Sequence, residues 1–238
     1  MLRKRTASRR TALTSPLQGD QLIALLSQNL GFAPRRSPLA DASVLIAITE
    51  ETHPQVLFTR RAQHMNNHAG EVSFPGGKRD SGDTSNIVVA LREAHEETGL
   101  NPFDVRLLGE LPSQRSKSGL RVKPVIGLIP PDLPLIAQPE EIDRIFYVPL
   151  SHFLHHPPQP YQVQLAGRSF SVPSFQMDGE IIWGLTGRIM VAMIAAGLGR
   201  TISWPFLLSQ QTLAGTLEAQ RLNLLMGSRG FPRWPRRR

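Results

Sequence analysis

Leu22, Leu25, Leu26 and Leu30 recur at helical spacing from Asp20, and Gly31 marks a stop for that helix. Residues 43–49 (SVLIAIT) and 55–60 (QVLFTR) read as β-strands. The polar run from Glu50 to Pro54 joins them into a hairpin. Residues 61–70 are polar and irregular, and 71–77 (EVSFPGG) predict a short strand running into a Pro-Gly-Gly turn. A helix follows over 85–98, capped by Thr84 or Ser85 and ended by Gly99. Residues 105–111, 122–129 and 142–150 predict three more strands. A hairpin over 162–175 turns at Gly167-Arg168, and 181–198 predict a closing helix. Strands interleaved with a few helices imply one α/β domain over 20–199. Residues 200–238 form an extension, with a helix expected from Leu207 to Met226 and a basic end. No repeat of fixed period is visible.

Composition narrows the classes. A chain of 238 residues with 40% hydrophobic content can bury a full core. The absence of Cys excludes disulfides, thiolate metal sites and cysteine nucleophiles. No stretch has the ~18 apolar residues a membrane-spanning helix needs. The net charge of +8 is concentrated at the ends. Residues 1–16 hold five basic residues and no acid, and residues 229–238 hold five Arg and no acid. Taking those ten from the 27 Lys and Arg leaves 17 against 19 acids, a body of −2. That balance argues against a nucleic-acid-binding core. Residues 1–16 read as a solvated, disordered basic tail; a transit peptide and a polyanion-binding arm share its composition and stay open. No apolar segment of a secretory leader follows Met1, so the expected location is cytoplasmic, with an organelle open.

Residues 70–100, GEVSFPGGKRDSGDTSNIVVALREAHEETGL, carry the chemistry. With Glu93 set at zero and about 100° per residue, Glu97 falls at about 40° and Glu96 at about 300°. Ile87, Leu91, Ala94 and Thr98 fall between about 100° and 160°, so the expected helix buries one side and aims three carboxylates from the other. Like charges at these spacings cost roughly 0.2–0.5 kcal/mol per pair. Taken alone, REAHEE reads as a solvated acidic face. The preceding strand, the Pro-Gly-Gly turn and the capped helix favour a site instead, with Glu93, Glu96 and Glu97 as hard oxygen ligands for Mg²⁺ or Mn²⁺. Gly76 and Gly77 allow close backbone approach.

Arg92-Glu93-Ala94-His95-Glu96-Glu97-Thr98-Gly99-Leu100 resembles the end of the Nudix box, Arg-Glu-apolar-any-Glu-Glu-any-Gly-apolar. The box's Gly and Glu normally stand where Lys78 and Thr84 are; here Gly77 and Asp83 lie one position earlier. That offset resembles the coenzyme A pyrophosphatase branch of the Nudix hydrolases. So does the upstream run Leu57-Phe58-Thr59-Arg60-Arg61-Ala62 with Gly70 to Gly77, although Asn66 stands where the branch usually has Arg. Further similarity lies at Leu111-Pro112-Ser113 with Ser118-Gly119, at Pro139-Glu140-Glu141 leading to Val148-Pro149-Leu150, and at Ile182 to Thr186. The resemblance covers about residues 40–198 and implies a Nudix-type α/β/α sandwich around a mixed β-sheet.

It also implies divalent-metal-dependent hydrolysis of a pyrophosphate linked to a nucleoside. Coenzyme A or an acyl-CoA is the expected substrate, giving 3′,5′-ADP and 4′-phosphopantetheine or its acyl form. Asn66 motivates the alternatives of ADP-ribose, a dinucleotide or a nucleoside triphosphate. A non-catalytic binding module, docking through the ten terminal basic residues, is the third reading. Glu93 and Glu97 are the expected first metal ligands and Glu96 the third. The proton acceptor stays open between Glu96, Glu71 and an acid outside the box. Asp83 is expected to hold Arg92 by a salt bridge and so orient the helix. Arg60, Arg61, Gly76, Gly77 and Lys78 are the expected substrate contacts. Glu140 and Glu141 favour solvent over a role as distant acid. Ser116, Lys117 and Arg121 read as either a soluble basic loop or a phosphate contact. His64, His68 and His95 match no zinc spacing. A homodimer is a candidate assembly.

Overall fold

The computed structural model describes residues 19–30, 37–65, 67–165, 168–200 and 202. The expected tail 1–16, the stop at Gly31, Asn66, the turn residue Gly167 and the helix from Leu207 to Met226 lie outside the described residues. In chain order the elements are α1 (Gly19–Leu30), β1 (Ala42–Thr49), β2 (Gln55–Arg61), β3 (Val72–Ser73) and β4 (Gly76–Lys78). Next come α2 (Asn86–Thr98), β5 (Arg106–Glu110), β6 (Gln114–Arg115), β7 (Arg121–Ile129) and β8 (Ile142–Pro149). The remainder are α3 (Leu150–His155), β9 (Gln159–Leu165), β10 (Arg168–Met177), β11 (Glu180–Ile182) and α4 (Gly184–Gly197).

The main sheet runs β3-β2-β1-β7-β5, with β4 also pairing β1, β6 pairing β7 and β8 pairing β2. The sheet is mixed: β1 and β7 are parallel, from Ala42↔Val122 to Thr49↔Ile129, whereas β2 and β4 both run antiparallel to β1. A second sheet of β11-β10-β9 is antiparallel throughout. Alternation along the central strands divides the core in two. Ile46, Ile48, Ile126 and Leu128 face a layer holding Leu22 and Leu26 of α1 and Ile189, Met190 and Met193 of α4. Leu45, Ala47, Val125 and Ile129 face Ala90 and Ala94 of α2. Helices on both faces make the α/β/α sandwich, and they explain why β1 and β7 read as unbroken apolar runs.

Three expectations are corrected. Pro75-Gly76-Gly77 is no turn: Gly76 and Gly77 are in β4 and pair with Val44 and Ser43. The helix expected from 181 begins at Gly184, because Ile181 and Ile182 pair with Gln176 and Phe175 of β10. Asp178 and Gly179, at φ 50° and 81°, form the two-residue turn of that hairpin. Finally, the strand ending near 150 passes straight into the short helix α3.

α4 is buried on most of its circumference, and its glycines let it sit close to its neighbours. A Cβ on Gly187 would lie 2.5 Å from the carbonyl oxygen of Pro173 in β10. Gly→Ala inside a helix ordinarily stabilises by roughly 0.5–1 kcal/mol. Here the backbone clash outweighs that gain, and overpacking of this kind costs about 1–3 kcal/mol. Gly187→Ala is therefore expected to lower Tm by several degrees in thermal unfolding followed by circular dichroism. An unchanged or raised Tm would contradict this close approach.

Candidate active site

The site is built where β4 crosses the carboxyl-terminal half of α2. Helix α2 starts at Ser85, whose Oγ accepts from the Val88 N–H, and ends at Gly99 in the left-handed region at φ 70°. Ser85, not Thr84, is thus the cap, and the expected stop at Gly99 forms. The expected core side forms, with Ala94 and Thr98 buried and Ile87 and Leu91 packed on the core, but the buried arc is wider than expected. Val89, at about 320° on the earlier reckoning, and Ala90, at about 60°, are both buried. Glu97 therefore lies within the buried arc beneath β4, Glu93 is half-buried at its edge, and Glu96 is exposed.

Two glycines permit this. A Cβ on Gly76, whose φ is 155°, would come within 2.4 Å of the Ser43 carbonyl oxygen. A Cβ on Gly77 would come within 2.3 Å of Glu93 Oε2. The first glycine lets β4 seat on the backbone of β1, and the second leaves room for a carboxylate against the strand. The Gly76 N–H donates to Glu97 Oε2 at 3.1 Å.

Glu97 is only 3% exposed. Beyond that N–H, its nearest compensation is Arg61, with Nη1 3.7 Å from Oε1. Burial outweighs both and pushes the Glu97 carboxyl up to about 8. Glu93 is also raised, chiefly by burial, while Arg92 pulls the other way. The charge on Glu141 adds to both shifts, and Glu141 Oε2 lies 4.0 Å from Arg61 Nη2. Glu141 is exposed, as the favoured reading has it, and it also stands at the edge of the site. The usable signal was its place just before β8, which pairs with the strand carrying Arg61.

Arg92 organises the rest. Its Nε and Nη2 donate to the two oxygens of Asp83 at 3.2 and 2.9 Å, and Nη2 also donates to the Lys78 carbonyl at 3.0 Å. Nη1 donates to Glu96 Oε2 at 2.9 Å, and Nη2 lies 3.0 Å from Glu93 Oε1. Asp83 Oδ2 in turn accepts from the Asp80 N–H at 2.8 Å. The expected Asp83–Arg92 pair therefore forms, and it ties the loop after β4 to the helix.

Other expected residues are spread more widely. Glu71 is held by His68 Nδ1 at 2.7 Å. Arg60 is engaged by Asp143 and Glu180, which staples β2 to β8 and β11. Lys78 is exposed, and its backbone carbonyl, not its side chain, serves Arg92. Among the described residues, no three His, Asp or Glu side chains stand together as a ready metal cage, since Glu96 is turned toward Arg92. The donor set nevertheless suits a hard divalent cation. Glu97 is a buried and Glu93 a half-buried carboxylate, burial raises the pKa of both, and Glu93 sits in a cradle that a Cβ on Gly77 would fill. No described helix is long and apolar enough to cross a membrane.

The Asp83–Arg92 pair gives a pH-dependent prediction. Hydrogen bonding from Arg92 holds the Asp83 carboxyl below its ordinary value. Its stabilisation is then complete above the unfolded value of about 3.9 and is lost as pH falls through the lower folded value. Asp83→Asn is expected to cost about 1–3 kcal/mol at pH 7, discounted for the partial exposure of Arg92. Urea melts should show the gap between variant and wild type closing below pH 4. A gap that widens toward acid would exclude this pair as a stabilising contact.

The NUDIX domain family model matches residues 39–166, more than half of the chain. A protein of Escherichia fergusonii named uncharacterized Nudix hydrolase NudL is 42% identical over 153 residues, covering 63% of this chain and 78% of its own. A Shigella flexneri protein of the same name is 41% identical over 161 residues, covering 65% and 82%. Among solved structures, the Nudix hydrolase RenU of M. smegmatis aligns with 49% of this chain and 74% of its own, at TM-score 0.41 and 21% identity. A MutT/nudix family protein of Enterococcus faecalis aligns with 93% and 87%, at TM-score 0.44 and 15% identity. With a box that ends in Arg92-Glu93 and Glu96-Glu97 and a family match spanning the central sheet, the chain belongs to the Nudix hydrolase family.

Proposed function

We propose that the protein hydrolyses the phosphoanhydride of coenzyme A or an acyl-CoA, releasing 3′,5′-ADP and 4′-phosphopantetheine or its acyl form. Nudix hydrolases generally use divalent metal ions, typically Mg²⁺ or Mn²⁺. The observation that carries the reading is the burial of Glu97 beneath Gly76, beside Arg61, with the half-buried Glu93 packed against Gly77. Glu93 and Glu97 would hold the ion, with Glu96 as third ligand once it leaves Arg92. Bound there, the ion supplies Lewis acidity and offsets the negative charge of the anhydride.

The protein's own groups do the remaining work. Arg92 is a positioning residue, since it fixes the β4 loop and sets the direction of Glu96. Arg61 offers its guanidinium to a substrate phosphate, with Lys78 at the open end of the loop and the backbone of Gly76 and Gly77 as the wall. Arg60 completes the proposed contacts only if it leaves Asp143 and Glu180. Glu96, Glu71 and Glu141 are the candidates to take the proton of the attacking water, and glutamine variants of each would separate them by pH–rate profile. Coenzyme A is favoured over other nucleotides by the one-residue offset in the box and by the run from Leu57 to Ala62 with Gly70 to Gly77. Asn66 supports a second reading, in which the substrate is another nucleoside diphosphate derivative.

Incubation of the full chain with coenzyme A and Mn²⁺ should yield both products by mass spectrometry. Turnover of ADP-ribose, dinucleotides or triphosphates with none of coenzyme A would replace the first reading with the second. Glu97→Gln should retain the metal-free Tm, because it removes a charge that burial disfavours. The same variant should lose the Tm increase caused by Mn²⁺ and depress kcat by about 10²-fold or more, the scale of losing a charged stabiliser in an active site. Near wild-type turnover in that variant would remove Glu97 from the machinery.

A further inference from the structure

Arg188, in the first turns of α4, is a half-buried cation with no acid beside it. Its Nη2 donates to the Arg115 carbonyl at 2.6 Å, and it forms no ion pair among the described residues. Burial lowers its pKa, and no neighbouring charge contributes. A guanidinium has five N–H donors and does not release its proton in proteins, so the charge stays and most donors remain to be used. Arg60, Arg61 and Arg92 each face a carboxylate. Every acid of the chain except Glu218 lies among the described residues, so the chain has little left with which to answer Arg188.

The surroundings are basic and adjoin the site. Arg115 Nη1 donates to the Gly119 carbonyl at 3.1 Å, closing the turn that carries Ser116, Lys117 and Ser118. Lys117 and Arg61 both oppose protonation of His68, so both lie within electrostatic reach of it. Arg61 is the same residue that approaches Glu97. The Thr186 hydroxyl donates to the Val72 carbonyl at 3.1 Å, which sets the first turn of α4 beside Glu71 and β3. Arg188, Lys117 and His68 therefore continue the positive side of the site away from the buried glutamates.

We propose that Arg188, with Lys117, receives a phosphate monoester that the substrate carries apart from the scissile anhydride. This rests on the coenzyme A reading, in which that group is the 3′-phosphate. A dianion matches two cations, and the N–H groups that Arg188 does not spend on the Arg115 carbonyl suit contact with phosphate oxygens.

Kinetics of the full chain with Mn²⁺ on coenzyme A and on 3′-dephospho-coenzyme A test this. Wild type should favour coenzyme A in KM by on the order of tenfold, the scale of one charge-assisted hydrogen bond. Arg188→Gln should bring the preference close to one, Arg188→Lys should restore part of it, and Lys117→Gln should reduce it. A merely structural role would instead lower Tm and slow both substrates in proportion. Thermal shift with 3′,5′-ADP against 5′-AMP needs no turnover: the larger shift with 3′,5′-ADP should vanish in Arg188→Gln. If the variant keeps the wild-type preference, or if 3′,5′-ADP shifts it as it does wild type, the inference fails while the proposed activity stands. If neither coenzyme is hydrolysed, the proposed activity fails and the thermal shift alone decides Arg188. Should Arg188→Gln not fold, Lys117→Gln decides by the same two readouts.

Discussion

Glu97 places a carboxylate where water hardly reaches, with one backbone N–H and a guanidinium 3.7 Å away as its close compensation among the described residues. Much of the surrounding structure serves that placement. β4 must come close enough to donate from Gly76, so it pairs with the first residues of β1 instead of turning away. Its second residue must carry no Cβ, because the Glu93 carboxylate occupies that space. The helix must hold a fixed register beneath the strand, and a polar cap at one end with a left-handed glycine at the other limits where it begins and stops.

Arg92 mediates between this pair and solvent. It touches Asp83, Glu93 and Glu96 and the Lys78 carbonyl together. One guanidinium thus bridges Glu93 and Glu96, offsetting their mutual repulsion on the helix. Any cation that recruits Glu96 must compete with a contact of 2.9 Å, whereas Glu93 and Glu97 are already turned inward.

The amphipathic strands and the caps of α2 were legible because they depend on local chemistry: apolar runs, a serine before the helix and a glycine after it. The width of the buried arc of α2 was misjudged because helical periodicity counts apolar residues, and here one of the buried positions is an acid, Glu97. β4 was hidden for a related reason. Pro-Gly-Gly carries the signal of a turn, but its glycines answer to close tertiary approach by Ser43 and Glu93, which no local window contains. The β10–β11 hairpin was missed, because the apolar run beginning at Ile181 read as helix and outweighed the turn signal of Asp178-Gly179. Glu141 joins the site only through strand pairing, as β8 lies beside β2 and so brings its preceding loop to Arg61.

Charge is sorted within the domain as well as along the chain. The excess of Arg and Lys lies at the ends of the sequence, and the body is slightly acidic. Within that body Asp83 and Glu97 of the box are buried, and Arg61 approaches Glu97 from β2. An anionic substrate is drawn to such a cation but repelled by ionised glutamates beside it. Burial resolves part of that conflict before any ligand arrives. A carboxyl pushed up to about 8 is mostly neutral near pH 7, and a divalent cation restores its charge only as it supplies a larger opposite one. On the proposed reading, the desolvation that makes Glu97 reluctant to ionise alone would be offset beside a cation, and metal binding would then be coupled to acceptance of a phosphoanhydride at the same place.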